Sequence, residues 1–180
     1  MGRPSDAGGG KNARDMAVLT NAIQAFFLSN SRHGIPVIFH EECLHGHAAV
    51  DATSFPQPIG LGATFDPDLA RRLYAMTAEE ARSRGTHQAL TPVADVAREP
   101  RWGRVEETFG EDPFLVSLMT VAAVQGFQGD TSFKNKNKVI ATLKHFAAHG
   151  QPESGTNCAP SKPENKRQMM PARAHVLRRS

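Results

Sequence analysis

Residues 35 to 46 read IPVIFHEECLHG, a short apolar run followed at once by charged and polar side chains. The apolar part, residues 35 to 39, is preceded by Gly34 and interrupted by Pro36, and it predicts a buried parallel strand. Functional groups of parallel α/β proteins follow the carboxyl ends of their strands. The HEE at 40 to 42 therefore marks a candidate site.

Two further segments repeat this order of apolar run and polar exit. Residues 89 to 93 predict a strand that leads to Asp95, and residues 139 to 143 predict a strand that leads to Lys144 and His145. Helical segments separate these strands, and an alternation of strand, polar loop and helix predicts parallel βα units. The fold class expected is therefore α/β with parallel strands.

Three helices are predicted around these strands. The first, residues 15 to 29, has apolar side chains at helical spacing, namely Met16, Leu19, Ile23, Phe26 and Phe27. The other two begin at Asp66-Pro67 and Asp112-Pro113, because aspartate caps a helix and proline fits its first turn, and they end at Gly85 and near Gly126. Their predicted inner faces are Leu69, Leu73, Met76 and Ala81, and Leu115, Leu118, Met119 and Ala122.

The composition limits the class of protein. With 180 residues, 39% hydrophobic and 22% charged, the chain fits a soluble globular domain. No apolar run approaches the roughly 20 residues of a membrane span, so no membrane partner is expected. The opening MGRPSDAGGGK lacks the apolar core of a secretory signal, which favours a cytoplasmic location. The two cysteines, Cys43 and Cys158, are therefore expected to be reduced.

The net charge of +3 is concentrated in the last twenty residues. Residues 161 to 180 hold six basic and one acidic residue, and subtracting these from the totals of 21 and 18 leaves 15 basic against 17 acidic. We therefore expect a domain over residues 1 to 160 and a disordered basic tail over 161 to 180. A nucleic-acid or acidic partner could bind only through that tail, and none is expected for the domain.

Four separated patterns carry a resemblance to a known family. They are HEECLHG at 40 to 46, FPQPIGLGATFDP at 55 to 67, DVAREPRWGRVEETFGEDP at 95 to 113 and ATLKHFAAHG at 141 to 150. In order and spacing they resemble the N-terminal barrel of glycoside hydrolase family 3, the beta-glucosidases, beta-xylosidases and related exo-acting enzymes. Since a complete (β/α)8 TIM-type barrel needs about 250 residues, the resemblance implies a partial barrel, roughly its first half.

The resemblance assigns sugar-binding roles to residues that match the family's motifs. The four assigned residues are Glu42, Arg104, Lys144 and His145, and the secondary candidates are Glu107, His149 and Asp95. Two positions depart from the usual pattern. Ala148 stands where glycine is usual, and a glutamate rather than an aspartate at position 42 is closer to the xylosidase and arabinosidase side of the family.

The implied activity is hydrolysis of terminal non-reducing beta-D-glycosidic bonds with retention, which uses two carboxyl groups about 5 to 5.5 Å apart. The family's nucleophile lies in an SDW-like motif and its acid/base usually comes from a second domain, and no SDW occurs in these 180 residues. We therefore expect a truncated, inactive member that binds beta-linked glycosides and needs no cofactor. The uncovered strand edges of a partial barrel also predict self-association.

Other interpretations remain open. Arg104 could pair with a glutamate of its own loop, at position 106, 107 or 111, instead of binding a ligand. The chain could be a non-catalytic carbohydrate-binding module. It could also be a metal-dependent hydrolase, in which a histidine pair, His45 with His47 or His145 with His149, is joined by Glu41 or Asp95 as a third ligand. The HEECLH segment itself lacks zinc-protease spacing, because Leu44 stands where the second histidine would be.

Overall fold

The computed structural model describes residues 4 to 6 and 10 to 161. The longer helices are α1 (Ala13–Asn30), α3 (Pro67–Ser83) and α4 (Pro113–Gln128), and α2 (Pro58–Gly62) is short. The strands are β1 (His40–Glu41), β2 (Gln88–Ala89) and β3 (Ile140–Ala141), and single 3-10 turns lie at Pro4–Asp6, Val105–Glu107 and Glu153–Gly155. Residues 162 to 180, nearly all of the predicted basic tail, lie outside the described residues.

The three strands form a parallel sheet in the order β1-β2-β3. His40 is opposite Gln88, which is opposite Ile140, and Glu41, Ala89 and Ala141 align in the same way. Helices connect successive strands, so the fold is part of an α/β barrel, as predicted. The described residues contain three of its strands, with β1 and β3 at the edges. Self-association through these edges stays a prediction.

The first strand begins later than its apolar run predicts. Ile35 and Ile38 are 65% and 50% exposed, and pairing with the second strand starts at Phe39, whose carbonyl accepts from the backbone N–H of His87. The cause is a competing partner for the backbone of Val37. The Gln24 side chain on α1 accepts from its N–H at 2.8 Å and donates to its carbonyl at 2.7 Å.

Both predicted Asp-Pro helix starts are confirmed. The Asp66 carboxylate accepts from the N–H of Leu69 at 2.9 Å, and Asp112 accepts from that of Phe114 at 2.9 Å. Helix α4 ends at Gln128, close to Gly126 as predicted, and is closed by Gly129, with φ 75°. Gly126 itself lies where α4 crosses α3.

The core lies mainly between α3 and α4. Tyr74 on α3 is fully buried, and its ring centroid is 4.9 Å from that of Phe127 and 6.5 Å from that of Phe109. Its hydroxyl donates to the carbonyl of Leu44 at 3.1 Å, which ties the helix layer to the loop after β1. Burial raises the pKa of this phenol above its ordinary value. The packing of α3 and α4 thus supports the loop that carries Glu42.

Several apolar side chains predicted to face inward are exposed. Met76 on α3 and Leu118 on α4 are 53% and 41% exposed, and Phe26 and Phe27 on α1 are 60% and 41% exposed. The buried faces of α3 and α4 are formed by other residues, among them Tyr74 and Phe127, so Met76 and Leu118 lie beside the contact. On α1, only Met16 and Thr20 are buried. None of the described helices is long and apolar enough to cross a bilayer.

Candidate functional site

The loops that follow the strands meet at the carboxyl end of the sheet. Glu42 comes directly after β1, and Lys144 follows β3. A parallel bridge between Val93 and Lys144 extends the pairing of the second and third strands, and the Lys144 carbonyl accepts from the N–H of Ala94 at 2.7 Å. This places Asp95 beside Lys144 and His145, as the parallel topology predicts.

Glu42 and Lys144 form an ion pair across the mouth of a small cavity. The Lys144 Nζ lies 3.2 Å and 3.5 Å from the two carboxylate oxygens of Glu42. The Lys144 side chain is 17% exposed and the Glu42 side chain is 34% exposed, so a ligand can reach both. The cavity has a volume of about 270 Å³ and is lined by Glu42, Leu44, His45, Gly46, Ala48, Arg104, Glu107 and Lys144.

Arg104 is held by a bidentate contact with Glu107. Its Nε and Nη2 donate to the two carboxylate oxygens at 2.6 Å and 2.7 Å, a geometry that the 3-10 turn at Val105–Glu107 makes possible. Of the three loop glutamates that the sequence offered as partners of Arg104, the structure therefore pairs it with Glu107. Burial alone would raise the pKa of Glu107, but the guanidinium lowers it below its ordinary value. The Glu107 hydrogen bond in turn raises the pKa of Arg104.

Two histidines complete the surroundings of Arg104. The His145 Nδ1 is 2.7 Å from an Asp95 carboxylate oxygen that also accepts from the His145 backbone N–H. The Arg104 Nη2 lies 3.3 Å from the His145 Nε2, and its Nη1 lies 3.0 Å from the His149 Nε2. His149 packs against the edge of Trp102, with ring centroids 5.0 Å apart. Burial is the main cause that lowers the pKa of His149 below its ordinary value.

All seven predicted site residues therefore lie in two adjoining groups. Glu42 and Lys144 form one, and the other is Arg104, Glu107, His145, His149 and Asp95. Their assignment to sugar binding stays a prediction.

Glu41, which the parallel topology led us to expect in the same cluster, lies elsewhere. It is 1% exposed, and its carboxylate accepts from the backbone N–H and the hydroxyl of Ser5. Glu41 ends β1 with its carboxylate at Ser5, whereas Glu42, the next residue, lines the cavity.

The sequence did not single out His45, Leu44 or Gly46 as cavity residues. The His-Gly pair at positions 45 and 46 was the sequence signal that could have indicated them. Position 46 requires glycine, because its φ is 109° and a Cβ there would lie 2.1 Å from the Thr53 carbonyl oxygen. Trp102 is 2% exposed and donates from Nε1 to Asn157 at 3.0 Å, so it packs the loop. No group of three or more His, Cys, Asp or Glu side chains within the described ranges is arranged to hold a metal.

Comparisons with known proteins place the chain in a family. The model of the glycosyl hydrolase family 3 N-terminal domain matches residues 7–173. A putative beta-xylosidase of Formosa agariphila is 40% identical over 144 residues, which cover 79% of this chain and 19% of that protein. A lysosomal beta glucosidase of Dictyostelium discoideum is 37% identical over 142 residues, covering 76% and 17%.

Solved structures agree with this assignment. A beta-glucosidase from Listeria innocua in complex with isofagomine superposes with a TM-score of 0.83 at 36% identity, over 94% of this chain and 23% of that one. A beta-glucosidase from Erythrobacter marinus gives a TM-score of 0.82 at 43% identity, over 84% and 20%. The chain spans about a fifth of the length of the curated relatives it matches. It belongs to glycosyl hydrolase family 3 and matches the N-terminal domain of that family.

Proposed function

We propose that the cavity binds the terminal non-reducing sugar of a beta-linked glycoside, with Glu42, Arg104, Lys144 and His145 as its contacts. The observation that carries this proposal is the cavity of about 270 Å³ at the carboxyl end of the sheet, where carboxylates and cations lie side by side. A carboxylate accepts hydrogen bonds, while a lysine or an arginine only donates them. Adjacent sugar hydroxyls, each both donor and acceptor, match such a surface.

The charges are paired before any sugar arrives. Lys144 contacts Glu42, and Arg104 contacts Glu107 in a bidentate fashion. Side chains that are already ordered lose less conformational freedom when a ligand binds, so this arrangement favours affinity. The same pairs retain acceptor and donor capacity towards the cavity, because a carboxylate has about four lone-pair positions and an ammonium has three protons.

The names of the relatives support a beta-glycoside as the ligand. They include beta-xylosidases and beta-glucosidases, and one Listeria innocua beta-glucosidase structure holds laminaribiose. The glutamate at position 42 favours xylose over glucose as the bound sugar, because it resembles the xylosidase side of the family. We propose hydrolysis of terminal beta-D-glycosidic bonds as the activity to which these 180 residues contribute.

We further propose that the 180 residues alone bind sugar without cleaving it. Retaining hydrolysis needs a nucleophilic carboxylate and a second carboxyl group that stays protonated, with a raised pKa. The three carboxylates of the site, Glu42, Asp95 and Glu107, each contact a lysine, a histidine or an arginine. The pKa of Glu107 is lowered, which is the wrong direction for an acid catalyst.

Tryptophan fluorescence and calorimetry test the binding proposal. Trp102 is the single tryptophan of the chain and lies next to Arg104, whose guanidinium carbon is 6.0 Å from the ring centroid. We expect saturable responses to D-xylose, D-glucose or laminaribiose. Because hydrogen bonds to charged groups are worth about 1.5–3 kcal/mol, Lys144→Ala and Arg104→Ala should each weaken binding roughly tenfold or more.

Matched controls separate the site from general charge. Lys134→Ala and Arg71→Ala remove one exposed cation each, outside the cavity lining, and should leave affinity unchanged. No saturable response at the highest soluble sugar concentration would overturn the binding proposal. Turnover of an aryl beta-xyloside or beta-glucoside by the purified 180-residue chain would overturn the proposal that it binds without cleaving.

A further inference from the structure

The guanidinium of Arg104 is surrounded by acceptors on three sides. Glu107 takes the Nε proton and one Nη2 proton, the His145 Nε2 faces the other Nη2 proton, and the His149 Nε2 faces Nη1. An arginine carries five N–H groups, and four of them are thereby used. Among the described residues, one N–H on Nη1 is left for a ligand in the cavity that Arg104 lines.

We propose that His149 is a positioning residue that orients Nη1 of Arg104 towards the sugar, and that it does so only as a neutral imidazole. Protonation of His149 then releases the arginine and weakens sugar binding. This inference rests on the proposed function for its effect on affinity. It assigns His149 a role that acts through Arg104, in place of the direct sugar contact considered for it from the sequence.

The donor and acceptor chemistry determines which ring nitrogens carry protons. Arginine cannot accept a hydrogen bond, so the Nε2 atoms of His145 and His149 must both be unprotonated acceptors. The proton of His145 then lies on Nδ1, where it is donated to Asp95 at 2.7 Å. The proton of His149 must likewise lie on Nδ1. Each imidazole in this arrangement is neutral.

A second proton on His149 would be placed against Arg104. The Nε2–H would face the Arg104 Nη1 at 3.0 Å, so that two donors and two positive charges meet. The titratable and charged groups that face His149 are His145, with ring centroids 4.4 Å apart, Asp95, Arg104 and Glu107, and the Trp102 ring packs against it as well. Asp95 and Glu107 favour the charged form but already accept from His145 and Arg104.

The expected pH dependence follows from these neighbours. Burial is the largest influence that lowers the pKa of His149 below its ordinary value of 6.5, the positive charge of Arg104 also lowers it, and the two carboxylates act in the opposite direction. The neutral form therefore prevails at neutral pH and persists into the acidic range. Sugar affinity should be constant above this lowered pKa and should fall as the pH drops through it.

Side-chain 15N spectra of the sugar-free chain test the tautomer and the arginine contact. We expect His149 to be protonated on Nδ1 at neutral pH, to titrate below 6.5, and to give faster exchange of the Arg104 Nη1 protons once it is charged. Protonation of His149 on Nε2 at neutral pH, or Arg104 exchange that does not follow the His149 titration, would overturn the inference.

Three variants test the effect on sugar affinity. His149→Gln supplies an amide oxygen that accepts from Arg104 and does not titrate, so affinity should stay near that of the parent chain and should lose its acid-dependent fall. His149→Ala removes the acceptor and should weaken binding about tenfold at neutral pH. If the acid-dependent fall in affinity is lost in His145→Gln but kept in His149→Gln, the neighbouring histidine causes it instead. An acid-dependent fall that survives in His149→Gln would refute the role of His149.

The two proposals fail in different ways. If the sugar-free chain shows the expected tautomer and coupled arginine exchange yet binds no sugar, the proposed function fails and the Arg104 network stands. If sugar binds with an affinity that neither His149→Ala nor acid changes, the proposed function stands and the positioning role fails. Denaturant unfolding of each variant across the pH range confirms that only folded protein is compared.

Discussion

Replacement of Gly150 by alanine is expected to disturb both stability and the candidate site. The carbonyl of Gly150 accepts from the N–H groups of Arg98 at 3.0 Å and Glu99 at 3.3 Å. A Cβ at Gly150 would lie 2.3 Å from the carbonyl oxygen of Val96, 3.0 Å from its carbon and 3.5 Å from the Asp95 Cβ. Because the closest atoms belong to the backbone, the segment ending at Gly150 must move away from residues 95 to 99.

The free-energy cost has two sources, steric crowding and the weakening of two backbone hydrogen bonds. Forcing extra volume into a packed site costs about 1–3 kcal/mol, and the two hydrogen bonds add roughly 0.5–1.5 kcal/mol each if they are broken completely. Partial relaxation gives a total of roughly 2–4 kcal/mol. At about 2–4 °C per kcal/mol for a chain of this size, Tm should fall by roughly 5–15 °C. Since His149 precedes Gly150, sugar affinity should fall as well.

Thermal and urea unfolding of Gly150→Ala measure this cost, with Gly103→Ala as the matched control. Gly103 lies in the same site loops, but no heavy atom is within 4 Å of a Cβ placed there. Its replacement should change stability by no more than about 0.5 kcal/mol. Equal melting temperatures for the two variants would refute the argument that the 145–150 segment packs closely on residues 95 to 99.

Two further changes probe the helix packing and the arginine contact. Gly126→Ala should destabilise the chain by roughly 1–3 kcal/mol despite the better helix propensity of alanine, because the new Cβ would lie 2.5 Å from the Arg71 carbonyl oxygen. The control Gly60→Ala should be neutral or stabilising in the same unfolding assay, since the nearest atom to its Cβ is 3.8 Å away. Glu107→Gln should cost roughly 1–2 kcal/mol at pH 7. Because the pKa of Glu107 is lowered, its ionised carboxylate stabilises the fold at pH values above the ordinary pKa of 4.5. This stabilisation is lost as the pH falls through the pKa of the folded state. The difference in unfolding free energy between Glu107→Gln and the parent chain should therefore vanish in acid. A difference that is independent of pH would contradict the pairing with Arg104.

Much of the local structure and the membership of the site could be predicted from the sequence. The Asp-Pro helix starts depend on contacts within four residues, and the order of strand and polar loop depends only on apolar runs, so both were found correctly. The candidate residues were named chiefly because their motifs resemble those of the family, and the structure brings all seven close together. The cytoplasmic location, the nature of the basic tail and the roles of the site residues stay predictions.

The sequence by itself determined the helix starts, the α/β class with parallel strands, and the motifs that identify the family. Tertiary structure decided which of two adjacent glutamates faces the cavity, and it turned Glu41 towards Ser5 and Glu42 towards Lys144. It also decided that Gly126 lies at the close contact between α3 and α4 and that Arg104 is shared among Glu107, His145 and His149. These outcomes depend on groups up to 102 residues apart along the chain, and no local pattern encodes distances between them.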